Sequence, residues 1–469
     1  MAIWKLSRTP ASAAVWATVA EAMDDRIRSP WLDHVPLVSA GVLLLVAMVF
    51  GGDARGKGDA LVHAVAVLAL GLALLHWPRR ALNRLQKATL WILLGGLAVG
   101  ALQLMPLPSA VFAQLPQRAQ VLGELRSAGL DPHWLPMTLD RWGTIRAMLA
   151  LLTVLAMWML CTTMSSSARA RLLTLAVAIA VPMALLGFAQ ASFKLDTTGA
   201  NGLFENRNHY ATLMAMLVPF AFAAARDARE SNHGALAMVW YAAVVAMLLA
   251  ASLSFSRVGS VLALLSSIAA LSVLGGGKLL EHASRRGAIV SLAIAIGGAA
   301  FFAADRLFQR FQSDMLVDLR WQYVEISWDV LKEYLPWGSG LGSFSAVYAP
   351  FEPLQSMGEF TFANHAHNEL LQNTIEGGLP ALALMAAFLG VVAIAGVRVL
   401  AQGLAGDYWR RAALISVCVP LLHSLVDYPL RTFSCAAVLA LALAVLVSNG
   451  AGRRSQGAGK RPQSLSQLR

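Results

Sequence analysis

Apolar runs of roughly transmembrane length recur along almost the whole 469-residue chain. A helix needs about 20 predominantly apolar residues to cross the hydrocarbon core of a bilayer. We predict twelve spans, at 36–50, 59–77, 88–104, 144–164, 170–190, 209–225, 235–255, 258–275, 287–304, 378–399, 409–425 and 431–449. Only 13% of the residues are charged, against about 25% in soluble domains. The sequence therefore predicts an all-α integral membrane protein with about twelve transmembrane helices.

The distribution of Lys and Arg predicts the orientation of these helices. Cytoplasmic loops of membrane proteins are enriched in both residues. If the N-terminus is cytoplasmic, every short loop on that side carries a basic residue. We therefore predict a bacterial inner-membrane protein with both termini in the cytoplasm. Its parts are an N-terminal segment 1–35, a membrane domain 36–449 and a basic tail 450–469. The net charge of +11 is explained by these loops, and no nucleic-acid partner is predicted.

Two predicted outer loops, 105–143 and 305–377, are long enough to hold structure of their own. In the second loop, residues 314–335 have apolar residues at helical spacing, which predicts a helix lying against the membrane face. The run PWGSGLGSF (336–344) follows. It lacks the lysine and the preceding strand of a phosphate-binding loop, so we predict a structural Gly-rich turn. Cysteine and histidine spacing shows no metal-binding pattern, and we predict neither a metal nor a cofactor.

Polar and ionisable residues collect on the predicted outer side of the membrane. They are Arg207, His209, Arg257, Arg320, His365, His367, Asn368, His423, Asp427 and Arg431. Each has a simpler explanation when taken alone. Arginines at span ends often only reach the headgroups, and NRNH (206–209) is typical of a helix cap through Asn206 or Asn208. The HSLVDY run is also compatible with a His–Asp pair that joins two helices.

Taken together, these residues suggest a site for an amphiphile. Arginine forks match phosphate oxygens, and two or three of them can hold a diphosphate without a metal. Histidine is suited to general-base work on a hydroxyl group. The implied substrate has a lipid tail in the bilayer and a phosphate at its surface.

One run, HNELLQNTIEGGL, resembles the signature of the O-antigen ligase superfamily. In that signature, His and then Asn, Ser or Gln precede nine residues and a Gly; this chain has His367, Asn368 and Gly378 in those positions. Other segments with the same resemblance are NRNHYATLMAMLVPF, SRVGSVLALL, RWQYVEISWDVLKEYLPWGSGLGSF and HSLVDYPLR. The resemblance covers about residues 140–448. It implies a membrane glycosyltransferase of the C-type architecture with a large periplasmic loop.

Members of this superfamily transfer a glycan from undecaprenyl diphosphate, on the periplasmic face, to a hydroxyl of an acceptor. The acceptor is lipid A core or a growing polysaccharide. The resemblance further implies metal-independent chemistry with inversion at the anomeric carbon. Here His367 would orient or deprotonate the acceptor hydroxyl, Arg320 and Arg257 would neutralise the diphosphate, and Arg207 would add a third cation. We expect substrate-binding roles for His209, Asn368, His365, His423, Asp427 and Arg431.

Three alternatives remain open from the sequence. A protein O-oligosaccharyltransferase would use the same donor with a Ser or Thr acceptor. A transporter of lipid-linked sugar would also have many spans and buried arginines, but it is expected to show internal repeats and helices interrupted at the midplane. A non-catalytic scaffold is the third. The sequence does not identify the sugar.

Overall fold

The computed structural model describes residues 34–52, 58–77, 82–193, 199–274, 315–353, 363–403 and 407–449. On the helix that begins at Met315, side chains are described from residue 321 onward. The predicted tail 450–469, the predicted span 287–304 and residues 1–33 of the predicted N-terminal segment lie outside the described part.

Helices make up nearly all of the described chain. They are α1 (Val35–Phe50), α2 (Asp59–Leu75), α3 (Arg84–Leu104), α4 (Ser109–Phe112), α5 (Arg118–Ser127), α6 (Arg141–Thr163), α7 (Ser166–Ser192), α8 (Arg207–Glu230), α9 (Gly234–Leu253), α10 (Arg257–Leu274), α11 (Met315–Tyr334), α12 (Phe344–Tyr348), α13 (Glu369–Leu400), α14 (Tyr408–His423) and α15 (Phe433–Leu446). Short 3₁₀ turns cover Ala349–Phe351 and Pro429–Arg431.

Seven of these helices are long and apolar enough to cross a membrane, namely α3, α6, α7, α8, α9, α10 and α13. Three shorter apolar helices, α1, α2 and α15, lie beside them. Together with α14, they coincide with every predicted span except 287–304. Backbone groups in hydrocarbon must be satisfied internally, which is why the apolar runs form helices. The chain is a helical, multi-pass membrane protein.

Polar residues in the sequence fix where several helices begin. Asn83 and Gln86 form a reciprocal capping box at the start of α3. The Asn206 side chain accepts a hydrogen bond of 2.8 Å from the backbone N–H of Asn208 and caps α8. Asn368 caps α13 in the same way. Asn, Asp, Ser and Thr are favoured here because their oxygens satisfy free amides of the first turn. The interpretation of NRNH as a helix cap is therefore confirmed for Asn206.

Helix α8 lies at the centre of the bundle. Within its apolar 18-residue stretch, 89% of the residues are buried, and α7, α9, α10 and α14 pack around it. Its sequence from 211 to 225 is rich in Ala and Met. Small side chains allow helices in a membrane to approach closely, where packing rather than the hydrophobic effect drives association. The polar start of α8 is thereby held in a fixed position.

Six loop regions of the described chain gather at one end of the bundle, which we call the loop end (51–52 with 58, 105–140, 199–206, 254–256, 321–353 with 363–368, and 424–432). Backbone hydrogen bonds join them: Glu205 N–H donates to Gly52 O, and Leu139 N–H donates to Ser339 O. In the first long loop, strands β1 (Pro106–Pro108) and β2 (Trp134–Pro136) pair antiparallel with Leu107 opposite Leu135.

The second long loop has a small apolar core of its own. The predicted helix 314–335 is α11, and its Val330, Leu331 and Tyr334 pack with α12 and the first turns of α13. Trp321 and Trp328 lie on the opposite, exposed face. Because this core includes Leu371 and Ile375, which belong to α13, the loop is fixed to the membrane bundle rather than folded apart from it.

Arg118 ties the two long loops together. Its side chain is completely buried, and its guanidinium donates to the carbonyls of Pro116, Met137 and Gly338 at 2.7–3.0 Å. It also lies 5.5 Å from the centre of the Tyr334 ring. Burial lowers the pKa of Arg118 to about 10, so the group remains charged at neutral pH. Both loops are therefore positioned by one cation that bridges carbonyl groups of each.

Candidate active site

Asp427 is the centre of a buried polar cluster at the loop end. It lies in the turn between α14 and α15 and has no exposed surface. Asn208 donates to its Oδ2 at 2.6 Å. Its Oδ1 lies 3.4 Å from His209 Nε2 and 3.4 Å from His367 Nδ1. Burial alone would raise the pKa of Asp427, but the two histidines lower it well below its usual value. Asp427 is therefore a carboxylate at neutral pH.

His367 is held in an unusual backbone conformation beside this carboxylate. Its φ is +50°, a region that residues other than Gly rarely adopt and that clusters at functional sites. The ring stacks on Tyr323 at a centroid distance of 5.9 Å and an angle of 13°, and it meets Tyr428 edge-on at 5.0 Å. The side chain is 21% exposed. Because Nδ1 faces Asp427, Nε2 is the nitrogen turned away from the carboxylate.

His209 and His423 lie behind this pair rather than at a surface. His209 is fully buried and meets Tyr428 edge-on at 4.6 Å. His423 is 1% exposed, and its Nδ1 lies 2.6 Å from the hydroxyl of Thr212. Both were predicted to bind substrate. Their burial suits them to holding the turn that carries Asp427 against α8.

A cavity of about 1470 Å³ opens beside the cluster. Its walls come from α2, α3, α6, the start of α8, residues 341–345, α13, the turn before α15, and α15 itself. Polar residues line the first turns of α6 and α13, and apolar residues follow further along α6, α13 and α15. Lining residues on α6 run from Gly143 to Val154, which is roughly 15 Å of helix. The cavity is therefore polar at the loop end and apolar inside the bundle.

A chain of hydrogen bonds connects the cavity wall to His365. Arg431 donates to Glu376 Oε2 at 3.0 Å and to Asn373 at 2.9 Å. Gln372 joins Glu376 at 2.8 Å and His365 Nδ1 at 3.2 Å. Burial and the nearby Arg431 lower the pKa of His365 to about 3. His365 is therefore neutral and forms part of the wall, which distinguishes it from His367.

The predicted arginines occupy different places. Arg207 is the first residue of α8 and lines the cavity. Arg257 is the first residue of α10. Gly259, two residues later, packs against Ala211 near the start of α8, which shows that Arg257 also lies at the loop end. It is not among the cavity-lining residues of the described chain. Arg320 lies on α11, and its side chain is outside the described part.

Residues 242–386 match the family model for O-antigen ligase. We refer to this matched part of the chain as the O-antigen ligase segment. No curated protein matches the sequence. The O-antigen ligase segment contains Arg257, α11, the Gly-rich turn and the first half of α13, and so includes His365, His367 and Gly378. The buried Asp427 and the start of α8 lie outside it. The match supports the predicted membership of the O-antigen ligase and polymerase superfamily.

In the O-antigen ligase segment, the glycine of the sequence signature lets the Gly-rich turn pack closely against α13. Gly378 interrupts α13 with φ +64° and ψ −158°, a region essentially restricted to glycine. A Cβ at this position would come within 2.5 Å of backbone atoms of Pro336 and Trp337. Gly338 of the Gly-rich turn packs on the backbone amide of Gly378. The number of residues between His367 and Gly378 therefore sets the length of helix that separates the histidine from the Gly-rich turn.

We expect Gly378→Ala to destabilise the protein by at least about 1–3 kcal/mol, the typical cost of such a backbone conformation for a residue with a Cβ. Thermal unfolding of the purified protein in detergent measures the effect. Gly390→Ala is a matched control, because Gly390 lies in the same helix and its added Cβ meets nothing within 4 Å. Equal stability of the two variants would contradict the packing described for Gly378.

Several residues of the candidate active site were not singled out from the sequence. Glu376, Gln372 and Arg146 lie in or beside predicted spans, and polar residues in such positions are a recognisable signal. Tyr428 and Tyr323 were also missed, because an aromatic residue in a loop carries no local sign of contact with a histidine. Among the described residues, no group of three His, Cys, Asp or Glu is arranged to hold a metal ion.

Proposed function

We propose that this protein is a glycosyltransferase that moves a glycan from undecaprenyl diphosphate to a hydroxyl of lipid A core or a growing polysaccharide. The observation that carries the proposal is the pairing of His367 with the buried carboxylate of Asp427. Tyr428 contacts His367 and also lines the cavity, so the pair lies next to a chamber with an amphiphilic lining. The loop end faces the periplasm in this proposal, and both termini are cytoplasmic.

The lining of the cavity suits a lipid-linked donor. The carrier tail would follow the apolar walls of α13 and α15, where Leu384, Phe388 and Leu443 lie. The diphosphate and the first sugar would lie at the loop end, where Arg207 lines the cavity. An arrangement of this kind places the reacting carbon outside the hydrocarbon while the tail keeps its contact with apolar side chains.

In the proposed reaction, the acceptor hydroxyl attacks the anomeric carbon of the donor sugar from the face opposite the diphosphate. The new C–O bond forms as the bond from carbon to the phosphate oxygen breaks, and undecaprenyl diphosphate leaves with that electron pair. His367 Nε2 takes the hydroxyl proton and later releases it to water. Asp427 holds Nδ1 and stabilises the imidazolium as it forms. The contact of 3.4 Å is longer than an ideal hydrogen bond, and such contacts tighten when substrate is bound.

The diphosphate leaving group needs nearby positive charge and correct placement more than it needs protonation by an acid, because it is already stable as an anion. Arg257 and Arg320 supply this charge in the proposal, with Arg207 as a third cation. No metal takes part, and attack from the opposite face inverts the anomeric carbon.

The function is tested with lysine substitutions assayed in the presence of EDTA. We expect Arg257→Lys and Arg320→Lys to lower transfer from a lipid-diphosphate glycan by about two to three decades, because an ammonium cannot make the paired hydrogen bonds of a guanidinium. The measurement is glycan product formed by purified protein. Arg398→Lys is the control, since Arg398 is exposed in the last turn of α13, at the opposite end of the bundle. Full activity in all three variants, or loss of wild-type activity in EDTA, would contradict the proposal.

A further inference from the structure

Arg146 is a charged residue inside a membrane helix that no step of the proposed reaction uses. It lies in the second turn of α6, within the predicted span 144–164, and its side chain lines the cavity. Gly143, one turn before it, is in contact with Gly342 of the Gly-rich turn. Arg146 therefore lies directly beneath that turn, on the bundle side of it.

Many of the residues that line this cavity together with Arg146 are small and apolar. Ala147 and Ala150 follow it on α6, and Gly96 and Ala381 line the walls contributed by α3 and α13. An arginine in such a setting is costly and usually marks a site for an anion or a path through the membrane.

The other arginines that line the cavity are already engaged with protein groups. Arg431 donates to Glu376 and Asn373, and Arg207 also interacts with the protein. Glu376 is further occupied by Gln372 and by the backbone N–H of Gly342. Arg146 makes no hydrogen bond or ion pair with any residue that the structure describes. Its charge is thus directed into the cavity without a protein counter-ion in the described chain.

The geometry points to Arg146 as a binding residue for the phosphate of a lipid whose tail follows the apolar walls of the cavity. A guanidinium offers a planar fork of donors that fits phosphate oxygens. On α6, the apolar lining residues Ala147, Ala150, Leu151 and Val154 begin immediately after Arg146, so phosphate and tail would be recognised by adjacent surfaces. The identification of this lipid with the glycan donor rests on the proposed function.

The test is a binding measurement on the full-length protein in detergent by native mass spectrometry. The probes are undecaprenyl diphosphate, phosphatidylglycerol and inorganic pyrophosphate. We expect Arg146→Gln to weaken undecaprenyl diphosphate binding about 10- to 100-fold, the usual effect of losing a charge-assisted contact. Arg141→Gln is the matched control, because Arg141 lies at the start of the same helix and is exposed, as Arg146 is, but does not line the cavity. It should bind as wild type does.

Each further outcome has a defined meaning. Unchanged binding by Arg146→Gln would overturn the assignment, and so would pyrophosphate binding as tightly as the lipid, because the tail would then contribute nothing. If phosphatidylglycerol binds as tightly as undecaprenyl diphosphate, and Arg146→Gln weakens this binding, Arg146 belongs to a lipid-phosphate site. The occupant of that site is then a phospholipid. His367→Ala should keep the binding and lose transfer. If Arg146-dependent binding is present while the wild type transfers no glycan, the site stands and the proposed function fails.

Discussion

We expect His367→Ala to lose nearly all glycan transfer while the protein is still inserted and folded. A general base contributes roughly 10² to 10⁴ in rate, and the alanine variant lacks the imidazole that would accept the hydroxyl proton. The side chain is partly exposed and sits at the N-terminal end of α13, so its removal leaves the bundle core untouched. Transfer by purified protein and the amount of polysaccharide made in a deletion strain both measure the effect, with protein level checked by blot.

His365→Ala is the comparison variant for His367→Ala. His365 is two residues away, neutral, and hydrogen-bonded to Gln372 in the cavity wall. We expect a smaller loss there, expressed as weaker donor binding rather than as a lower maximal rate. If both variants retain full activity, His367 is not the base. If His365→Ala is the more severe of the two, the roles of the two histidines are reversed.

Replacement of Asp427 by asparagine should produce the second large effect, a fall in kcat on the order of 10² to 10⁴ with little change in KM. The carboxylate holds Nδ1 of His367 and stabilises its protonated form in the transition state, and an amide does neither. Asn208 can still donate to the oxygen of an asparagine at position 427, so the turn should remain folded. A fall in kcat per folded molecule, with KM unchanged, distinguishes positioning of His367 from loss of folded protein.

The pH behaviour of Asp427 adds a second measurement. Its pKa in the folded protein lies well below the ordinary value of 3.8. The stability that the carboxylate contributes is therefore complete above pH 3.8 and is lost only as the pH falls through the lower folded value. We expect the stability difference between wild type and Asp427→Asn to be constant from neutral pH down to about pH 4. A difference that disappears between pH 7 and pH 5 would show that Asp427 is not the ionised partner.

Local patterns in the sequence predicted most of the architecture. Helices α1–α3, α6–α10 and α13–α15 follow the apolar runs because a bilayer offers no hydrogen bonds to the backbone, so an apolar run of sufficient length has to be helical. The amphipathic spacing of α11 and the asparagine caps of α8 and α13 are equally local. The signature from His367 to Gly378 spans only about three helical turns and is visible without any knowledge of packing.

What only the tertiary structure decided is which of these residues meet. Asp427 is 219 residues from Asn208 in the sequence and 60 residues from His367, yet it contacts both. Arg118 likewise donates to carbonyl groups of two separate loops. Such contacts depend on how each helix is rotated and at what depth it packs, and neither quantity is fixed by apolar composition alone. The same rotation places Arg146 in the wall of the cavity. The sequence by itself determined that the chain crosses a membrane and carries polar groups at one end, whereas the packing of the bundle determined which of those groups form a site.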